Sequence, residues 1–344
     1  MNEHLPMLEE TLDRVLTDAA TPEAVQAVND GGFDAALWAT LEELGFAQAG
    51  LPEAAGGVGL SMADWVSLLR IAGRHCAPVP LLESAVLAAS VLHGAGKEVP
   101  AGPLAVHVVP DSLTGLSARG SVLRGTLEGV AGARHAAHLV LVQSGGGVAV
   151  LAREGLRIRP NNNMAGEARD DVQVEGLSVV PAPGRLGVDA LRARAALGRA
   201  ALMSGALERA LELSLEYTKT RKQFGRALAA FQAIQQQLAR LAAETASVSV
   251  LVDHGARVLD EGGSPAVVAA AKVRAGQAAG LACRIAHQVH GAMGFTQEYA
   301  LHHATRRLWA WREEDGNEAT WARVLGAQVA AAGADALWPT LTDA

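Results

Sequence analysis

Apolar residues recur every three or four positions through the first hundred residues of the chain. The pattern is clear in LPMLEETLDRVL and FDAALWATLEELGF, and it is typical of helices that bury one face. A further segment, SMADWVSLLRIAGRH, begins with Ser61, a residue type that caps helix N-termini, and Asp64 follows three positions later. We therefore predict an N-terminal helical domain over residues 1–104.

The spacing of apolar residues changes near residue 105. The segments LAVHVVP, HLVLVQS, GVAVLARE and LRIRP are short, rich in valine or isoleucine, and separated by Gly, Pro and Asn. Short runs of this kind at hairpin-like spacing are typical of strands. They predict a small antiparallel β domain over residues 105–186.

From residue 187 onward the helical pattern returns in longer segments, such as DALRARAALGRAALMSGALERALELSLEYTKTR. Segments of about 30 residues indicate long antiparallel helices that pack as a bundle. We predict a C-terminal four-helix bundle over residues 187–344. The predicted fold class is therefore mainly α, with a small β domain between two helical domains.

Charge and cysteine content narrow the class of protein. The net charge of −7 argues against general nucleic-acid binding. The chain has two cysteines, Cys76 and Cys283, far apart and in apolar contexts, which fits a reducing compartment and argues against a disulfide framework. The N-terminus lacks an apolar signal core, and no apolar run reaches the roughly 18 residues of a membrane span. We expect a soluble cytoplasmic protein that does not cross a membrane.

A basic segment interrupts the helical pattern of the third zone. It reads YTKTRKQFGRALAAFQAIQQQLA and covers Tyr217–Ala239. Gly225 is typical of a helix C-cap, so one interpretation is an ordinary helix–turn–helix with Phe224 at an interface. The other is an anion site, in which the guanidinium of Arg221 binds a phosphate beside the Phe224 ring. The residues alone leave both interpretations open.

Glycines and histidines cluster in the segment QVHGAMGFTQEYALHHATRR. Gly291 and Gly294 allow either a turn or a close approach of the backbone to a ligand. Four histidines match no compact metal-binding motif, so we predict packing or surface roles for them and no metal site. These are His287, His290, His302 and His303.

Both segments, together with LEELGFAQAGLPEAAGGVGL near the N-terminus, resemble stretches of the flavin-dependent acyl-CoA dehydrogenases. The most specific family signature reads Y…R.QFG.pl..fQ.iq..lA, and Tyr217–Ala239 is similar to it. The segment with the glycines and histidines is similar to the family stretch Q..GG.Gf..e.pl.r..Rd. The helical–β–helical order also agrees, so the resemblance covers nearly the whole chain, although this member is short and divergent.

The resemblance implies a reaction, a cofactor and an electron acceptor. In that family an acyl-CoA thioester loses a proton from Cα to a carboxylate base and a hydride from Cβ to flavin N5. FAD lies across a subunit interface, and an electron-transfer flavoprotein is the expected acceptor. Nine residues of this chain take the nucleotide-binding positions of the family. The pyrophosphate side comprises Arg221, Gln223 and Phe224, the adjoining pocket Leu228, Gln232 and Ile234, and the adenosine half Gln288, Gly291 and Ala292.

The flavin-ring side departs from the family pattern. The region 105–186 contains neither the Trp-Ile-Thr strand nor the Gly-Ser-Asp motif of the family. Some members carry the base on the first helix of the C-terminal domain. Matching back without gaps from RKQFG places Ala195 at that position, with Ala196 in place of the usual arginine.

The alternative base position falls in the acid run WREEDGNEATW, where the family has Glu directly before Gly-Thr. Ungapped matching puts Asp315 there, followed by Gly316 and by Asn317, which takes a cofactor-contact position. Aspartate is one methylene shorter than glutamate, and a misplacement near 1 Å can cost about a hundredfold in rate. Acid runs are also typical of solvated turns. Asp315 is therefore a candidate catalytic base, and the alternative of a non-catalytic turn stays open.

Three hypotheses follow for the whole chain. The nucleotide-holding residues are retained while most ring-side residues are absent, a distribution that resembles one subunit of the α2β2 enzymes of sterol-degrading systems. On this hypothesis one FAD serves each pair of subunits, and the acyl group is bulky, for example steroid-derived. The second hypothesis is a complete homo-oligomeric acyl-CoA dehydrogenase with Asp315 as the base. The third is a scaffold subunit without catalysis.

Overall fold

The computed structural model describes residues 2–110, 113–117, 120–144, 146–179, 182–184, 186–336 and 338–339. It confirms a mainly helical chain with a small β domain. The N-terminal helices are α1 (Leu5–Ala19), α2 (Pro22–Asn29), α3 (Ala35–Glu43), α4 (Met62–Arg74) and α5 (Ala89–Gly94). A π-helical segment, Leu82–Ala88, leads directly into α5.

The N-terminus of α4 confirms the predicted cap. The Ser61 hydroxyl accepts a hydrogen bond from the Asp64 amide at 3.2 Å, and the Asp64 carboxylate accepts one from the Ser61 amide at 2.9 Å. The carboxylate of Asp260 also caps this helix, because its two oxygens accept hydrogen bonds from the amides of Met62 and Ala63, both at 2.8 Å. The backbone amides that the start of this helix leaves unpaired are thus satisfied by the adjacent Ser61 and by Asp260, which lies far along the chain.

The strands form two four-stranded sheets that pack face to face. The sheets have the orders β1-β4-β5-β8 and β2-β3-β7-β6. Their strands are β1 (Leu104–Val109), β2 (Thr114–Ser117), β3 (Gly120–Ala131), β4 (His138–Gln143), β5 (Gly147–Ala152), β6 (Arg157–Arg159), β7 (Arg169–Val179) and β8 (Ala182–Pro183). Buried side chains from both sheets, including Leu127, Leu139, Leu141 and Val172, form one core between them.

Strand pairing is antiparallel in both sheets except between β1 and β4, which run parallel from Leu104 opposite His138 to Val109 opposite Gln143. The sequence predicted antiparallel pairs only. Strands that pair in parallel need a long connection between them, and here the chain forms β2 and β3 of the other sheet between β1 and β4.

The C-terminal helices are α6 (Val188–Thr220), α7 (Gln232–Asp260), α8 (Ala266–His290), α9 (Leu301–Glu313) and α10 (Glu318–Ala332). They pack as the predicted bundle. Helices α4 and α6 approach closely through glycine: a Cβ on Gly205 would lie 1.9 Å from the carbonyl oxygen of Arg70, and one on Gly73 would lie 2.0 Å from that of Leu202.

A small hairpin joins α6 to α7, with strands β9 (Lys222–Gln223) and β10 (Arg226–Ala227). The interpretation of Gly225 as the C-cap of α6 is wrong. The helix ends at Thr220, Arg221 is already extended, and Gly225 lies at the hairpin tip with φ 78°. The tip needs two consecutive left-handed residues, and Phe224 (φ 52°) supplies the other.

Candidate active site

The acid run lies in a tight turn between α9 and α10. Asp315 and Gly316 both have positive φ, at 54° and 90°, so the chain reverses within two residues. Asn317 begins the next helix, since its side chain accepts a hydrogen bond from the Thr320 amide at 3.1 Å. Its side-chain nitrogen donates to Glu313 at 3.1 Å. Within the chain, Asn317 is therefore a helix N-cap, and its assignment to the cofactor stays a prediction.

A buried lysine holds this turn in place. Lys272 of α8 is 1% exposed, and its Nζ donates to the carbonyl oxygens of Trp311, Arg312 and Gly316 at 3.2, 2.9 and 2.8 Å. The carbonyls of Trp311 and Arg312 are ones that the end of α9 leaves without helical partners, and Gly316 belongs to the turn itself. Burial lowers the pKa of Lys272 to about 8, and the nearby Asp315 carboxylate partly offsets that effect.

The three consecutive acids have three different environments. Glu313 is 62% exposed in its side chain and faces solvent. Glu314 is 16% exposed and accepts from Arg169 Nε at 2.9 Å and Nη2 at 2.5 Å. The side chain of Asp315 is 26% exposed, and its Oδ2 accepts from Arg199 Nε at 2.9 Å. Only Glu313 therefore fits the description of a solvated acidic turn.

Arg199 joins these acids to the N-terminal half of the chain. Its Nη2 donates to Glu83 Oε1 at 2.7 Å and lies 3.3 Å from Glu314 Oε2. Burial alone would lower the pKa of Arg199, but the adjacent carboxylates outweigh it and raise that pKa well above its usual range. Burial would likewise raise the pKa of Glu314, but Arg169 and Arg199 hold it at about 2. We call Glu83, Arg169, Arg199, Glu314 and Asp315 the charge cluster.

All five members of the charge cluster line a cleft of about 890 Å³, together with residues of the β domain and of the C-terminal helices. Asp315 lines the cleft, as do Val106 of β1, Ala195 of α6 and Trp321 of α10. Ala195, which the resemblance places at the other base position of the family, contributes no carboxylate to the cleft, and that placement stays a prediction. Asp315 is consequently a carboxylate with access to a space that accommodates a ligand.

The residues assigned to the FAD pyrophosphate lie elsewhere, on the hairpin between α6 and α7. Arg221, Gln223 and Phe224 are all exposed, and the Phe224 ring is 92% exposed. The hairpin is ordered by its own contacts: Phe224 meets Phe231 edge-to-face at 6.2 Å, and the Arg226 guanidinium lies 4.0 Å from the Phe231 ring centre. The structure thus brings the first three assigned residues together on a projecting element.

Three further assigned residues continue from this hairpin into α7. Leu228 and Ile234 are half-buried, and Gln232 at the first position of the helix is exposed. None of the three lines the Asp315 cleft. The pyrophosphate group of residues and the candidate base therefore belong to different surfaces of this chain.

The adenosine-side residues lie at the C-terminal end of α8. Gln288 and Gly291 line a groove of about 450 Å³ together with Phe295 and Trp309. Ala292 is exposed beside them but is not part of the groove lining. Gly291 has φ 58°, and a Cβ built on it would meet no atom of the described residues within 4 Å, so these residues leave its backbone open to a ligand.

The histidines of this region pack against aromatic rings. His290 stacks on Tyr217 at 4.6 Å and His287 on Phe295 at 4.4 Å, while buried His303 contacts Asn29 at 3.1 Å. Among the residues that the structure describes, no group of three potential ligands is arranged to hold a metal ion. Within the same part of the chain, no helix is long and apolar enough to cross a bilayer.

Sequence reasoning missed most of the charge cluster and the lysine beside it. Glu83, Arg199 and Lys272 each stand within helical segments rich in alanine, leucine or valine, PLLESAVLAAS, AALGRAALM and VVAAAKV. A single charged residue on an otherwise apolar helical stretch is the available signal, because such residues are rarely buried unless they are paired. The sequence does not show which partner each one takes.

Comparisons with known proteins agree with this architecture. Two family models match the chain, the N-terminal domain of acyl-CoA dehydrogenases over residues 2–99 and the C-terminal domain over residues 187–330. Acyl-CoA dehydrogenase IpdE2 of Mycolicibacterium smegmatis is 30% identical over 310 residues, which cover 88% of this chain and 91% of that protein.

Two solved structures share the fold over almost their whole length. A chain of the ChsE4-ChsE5 complex from Mycobacterium tuberculosis has a TM-score of 0.86 at 24% identity, covering 96% of this chain and 98% of that one. A Tcur3481-Tcur3483 steroid ACAD variant has a TM-score of 0.85 at 27% identity, with the same coverage. These matches confirm the predicted fold class.

Proposed function

Because the chain belongs to the acyl-CoA dehydrogenase family of FAD-dependent oxidoreductases, we propose that it works as one subunit of a hetero-oligomer that dehydrogenates an acyl-CoA thioester. When bound, FAD supplies the two-electron acceptor of this reaction. The residues of this chain would hold its nucleotide half and contribute to the interface with the partner subunit. The observation that carries the proposal is the separation of the exposed hairpin from the Asp315 cleft.

The hairpin has the chemistry for a diphosphate. Arg221 follows directly on the C-terminal end of α6, and its planar guanidinium can make two parallel charge-assisted hydrogen bonds to phosphate oxygens. Phe224 is 92% exposed, which is costly for a ring of this size unless a ligand or neighbour covers it. The hairpin thus presents a phosphate-binding guanidinium and an exposed apolar ring together. This pair supports the binding of a cofactor that is shared with a second subunit.

The environment of Asp315 supports a complex in which the partner subunit supplies the catalytic base and this chain binds the nucleotide half of the cofactor. One carboxylate oxygen of Asp315 is already bound by Arg199 at 2.9 Å, and its side chain is one methylene shorter than glutamate. Both features limit how far the carboxylate reaches into the cleft. We therefore propose that the partner subunit supplies the catalytic base for the flavin that this chain helps to bind.

Two relatives of similar fold support a bulky acyl group as the substrate of the complex. One relative of similar fold is described as a steroid ACAD, and another comes from a two-component complex. On this basis we propose steroid-derived acyl-CoA thioesters as substrates and an electron-transfer flavoprotein as acceptor.

A second candidate function is a complete homo-oligomeric dehydrogenase with Asp315 as the base. It is favoured by the one observation that Asp315 lines the large cleft and keeps 26% of its side chain exposed. Asp315→Asn separates the two candidates. The variant would abolish turnover of a homo-oligomer, whereas in the hetero-oligomer it would leave turnover within a few-fold of the unchanged complex.

The experiment is to express the chain alone and together with a homologous partner chain, and to record the visible spectrum of each preparation. We expect flavin absorbance in the co-expressed complex only, with bleaching when a steroid-derived acyl-CoA is added. A yellow, acyl-CoA-reducible preparation of the single chain would instead establish the homo-oligomer. A colourless complex would leave the chain as a scaffold and refute the proposal.

A further inference from the structure

A second arginine lies on the hairpin that joins α6 to α7. Strand β9 pairs with β10 in antiparallel register, with Gln223 opposite Arg226 and Lys222 opposite Ala227. Residues that face each other across an antiparallel pair project from the same side of it, and neighbours along a strand project from opposite sides. Arg226 therefore shares a face of the hairpin with Gln223, which the family resemblance assigns to the pyrophosphate side. Lys222 lies on the other face.

The same register extends to Arg221. The amide of Leu228 donates to the carbonyl oxygen of Arg221 at 2.9 Å, so these two residues form the next cross-strand pair. Arg221 is extended and lies two positions before Gln223, and residues at this spacing project from the same side of a strand. The face that carries Gln223 thus carries both arginines, Arg221 and Arg226.

An aromatic ring orients the Arg226 side chain. Its guanidinium carbon lies 4.0 Å from the centre of the Phe231 ring, and the Phe224 ring meets the same Phe231 ring edge-to-face at 6.2 Å. A guanidinium that stacks on a ring keeps its N–H edges free for hydrogen bonds in its own plane. The Arg226 guanidinium therefore packs on the same ring as Phe224, which the resemblance assigns to the pyrophosphate side, and still offers donors to a ligand.

The positive charge of the hairpin is not balanced by nearby acids. Among the residues that the structure describes, no carboxylate oxygen lies within 4.0 Å of a charged nitrogen of Arg221, Lys222 or Arg226. The chain as a whole has a net charge of −7, so this positive charge is a local feature. Two unpaired guanidinium groups on one face suit a ligand with two adjacent negative charges, such as a diphosphate.

We propose that Arg226 is a second phosphate-binding residue of the dinucleotide site and acts with Arg221 on the diphosphate. This rests on the proposed function, in that the hairpin binds the nucleotide half of FAD. A diphosphate carries two negative charges, and two arginines on one face neutralise both. Lys222 has the same charge but lies on the opposite face, so it does not contact the diphosphate.

The test is a titration with FAD of the flavin-free complex of this chain and its partner, followed by flavin fluorescence. Arg226→Gln removes the charge and keeps most of the side-chain length, whereas Arg226→Lys keeps the charge without the planar guanidinium. Lys222→Gln is the matched control, because it removes one positive charge from the other face of the same hairpin. Light scattering after gel filtration measures the assembly of each complex separately.

We expect Arg226→Gln to raise the dissociation constant of FAD by about 10- to 100-fold, the effect of losing a hydrogen bond to a charged group. Arg226→Lys should raise it less, and Lys222→Gln by less than about twofold. Because Arg226 is exposed, the Arg226→Gln effect should shrink between about 0.1 M and about 1 M salt, as the Debye length falls from about 10 Å to about 3 Å. A purely structural contact with Phe231 would give a loss that salt does not change.

Equal effects of Arg226→Gln and Lys222→Gln would overturn the inference. An Arg226→Gln complex that assembles poorly but binds FAD with unchanged affinity once assembled would also overturn it, because Arg226 would then belong to the subunit interface. Arg221→Ala distinguishes these failures from a failure of the proposed function. If Arg221→Ala loses its flavin and Arg226→Gln does not, only this inference fails; if both variants keep full affinity for FAD, the proposed function fails as well.

Discussion

Replacing Glu314 by glutamine removes the carboxylate that ties the turn between α9 and α10 to the β domain. Glu314 accepts from Arg169 at 2.9 and 2.5 Å and from Asn163 at 2.7 Å, and its side chain is 16% exposed. Its pKa of about 2, against 4.5 for an ordinary glutamate, corresponds to about 3 kcal/mol of stability at neutral pH. This agrees with the roughly 3–5 kcal/mol lost when one partner of a buried ion pair is removed.

The pH dependence follows from the direction of the shift. A carboxylate whose pKa is depressed on folding stabilises the protein fully above its unfolded pKa and loses that contribution as pH falls toward the folded pKa. For Glu314 the window runs from about pH 4.5 down to about pH 2, and about 2 kcal/mol of its contribution should be lost by pH 3.

The assay is equilibrium urea unfolding at pH 7 and at steps toward pH 3, with Glu313→Gln as the matched control. Glu313 is the preceding acid in the same turn and is 62% exposed. We expect Glu314→Gln to lower the free energy of unfolding by about 3 kcal/mol at pH 7 and Glu313→Gln to change it by less than about 0.5 kcal/mol. Equal effects of the two substitutions, or a Glu314→Gln deficit that persists unchanged at pH 3, would show that the ionised Glu314 carboxylate does not stabilise this turn.

Two further substitutions test other parts of the structure. The folded-state pKa of Lys272 is lowered to about 8, so between about pH 8 and 10.5 this lysine is protonated in the unfolded chain and neutral in the folded one. The free energy of unfolding should therefore rise with pH across that window by up to about 3 kcal/mol. Urea titrations of Lys272→Met should lack this rise. Gly205→Ala places a Cβ 1.9 Å from the Arg70 carbonyl oxygen and should cost at least about 1–3 kcal/mol, measured by thermal unfolding. Its control, Gly326→Ala on α10, adds a Cβ that meets no atom of the described residues within 4 Å and should stabilise the protein by about 0.5–1 kcal/mol. If Gly326→Ala were the more destabilising of the two substitutions, the result would contradict the packing of α4 on α6.

The parts of the fold that follow from local pattern were predictable. The amphipathic spacing of α1 places Leu5, Leu8, Leu12 and Leu16 in the core, and the cap at Ser61 forms as its spacing indicates. The predicted domain boundaries after residues 104 and 186 follow the same changes of pattern and stay a prediction. The parallel pairing of β1 with β4 was not predictable, because strand patterns indicate which residues face a core and not which strand lies beside which.

The candidate site was predictable only in part, for the same reason. Family resemblance gave Asp315 and Arg221 as candidate positions, but the partners of Asp315 come from far along the chain. Arg199 is 116 residues away from Asp315, and Glu83 is 116 residues away from Arg199. Ion pairs over such separations leave no spacing pattern, so an isolated charge in an apolar helix indicates burial without revealing its counter-ion.

We propose that this chain holds the nucleotide half of an FAD that it shares with a partner subunit. The most direct measurement is the ratio of FAD to protein in the purified complex, determined for the unchanged chain and for Arg221→Ala in this subunit. We expect one FAD per pair of unlike subunits, and a loss of most bound flavin in Arg221→Ala with the complex still assembled. A second FAD per pair, or an unchanged flavin content in Arg221→Ala, would contradict it.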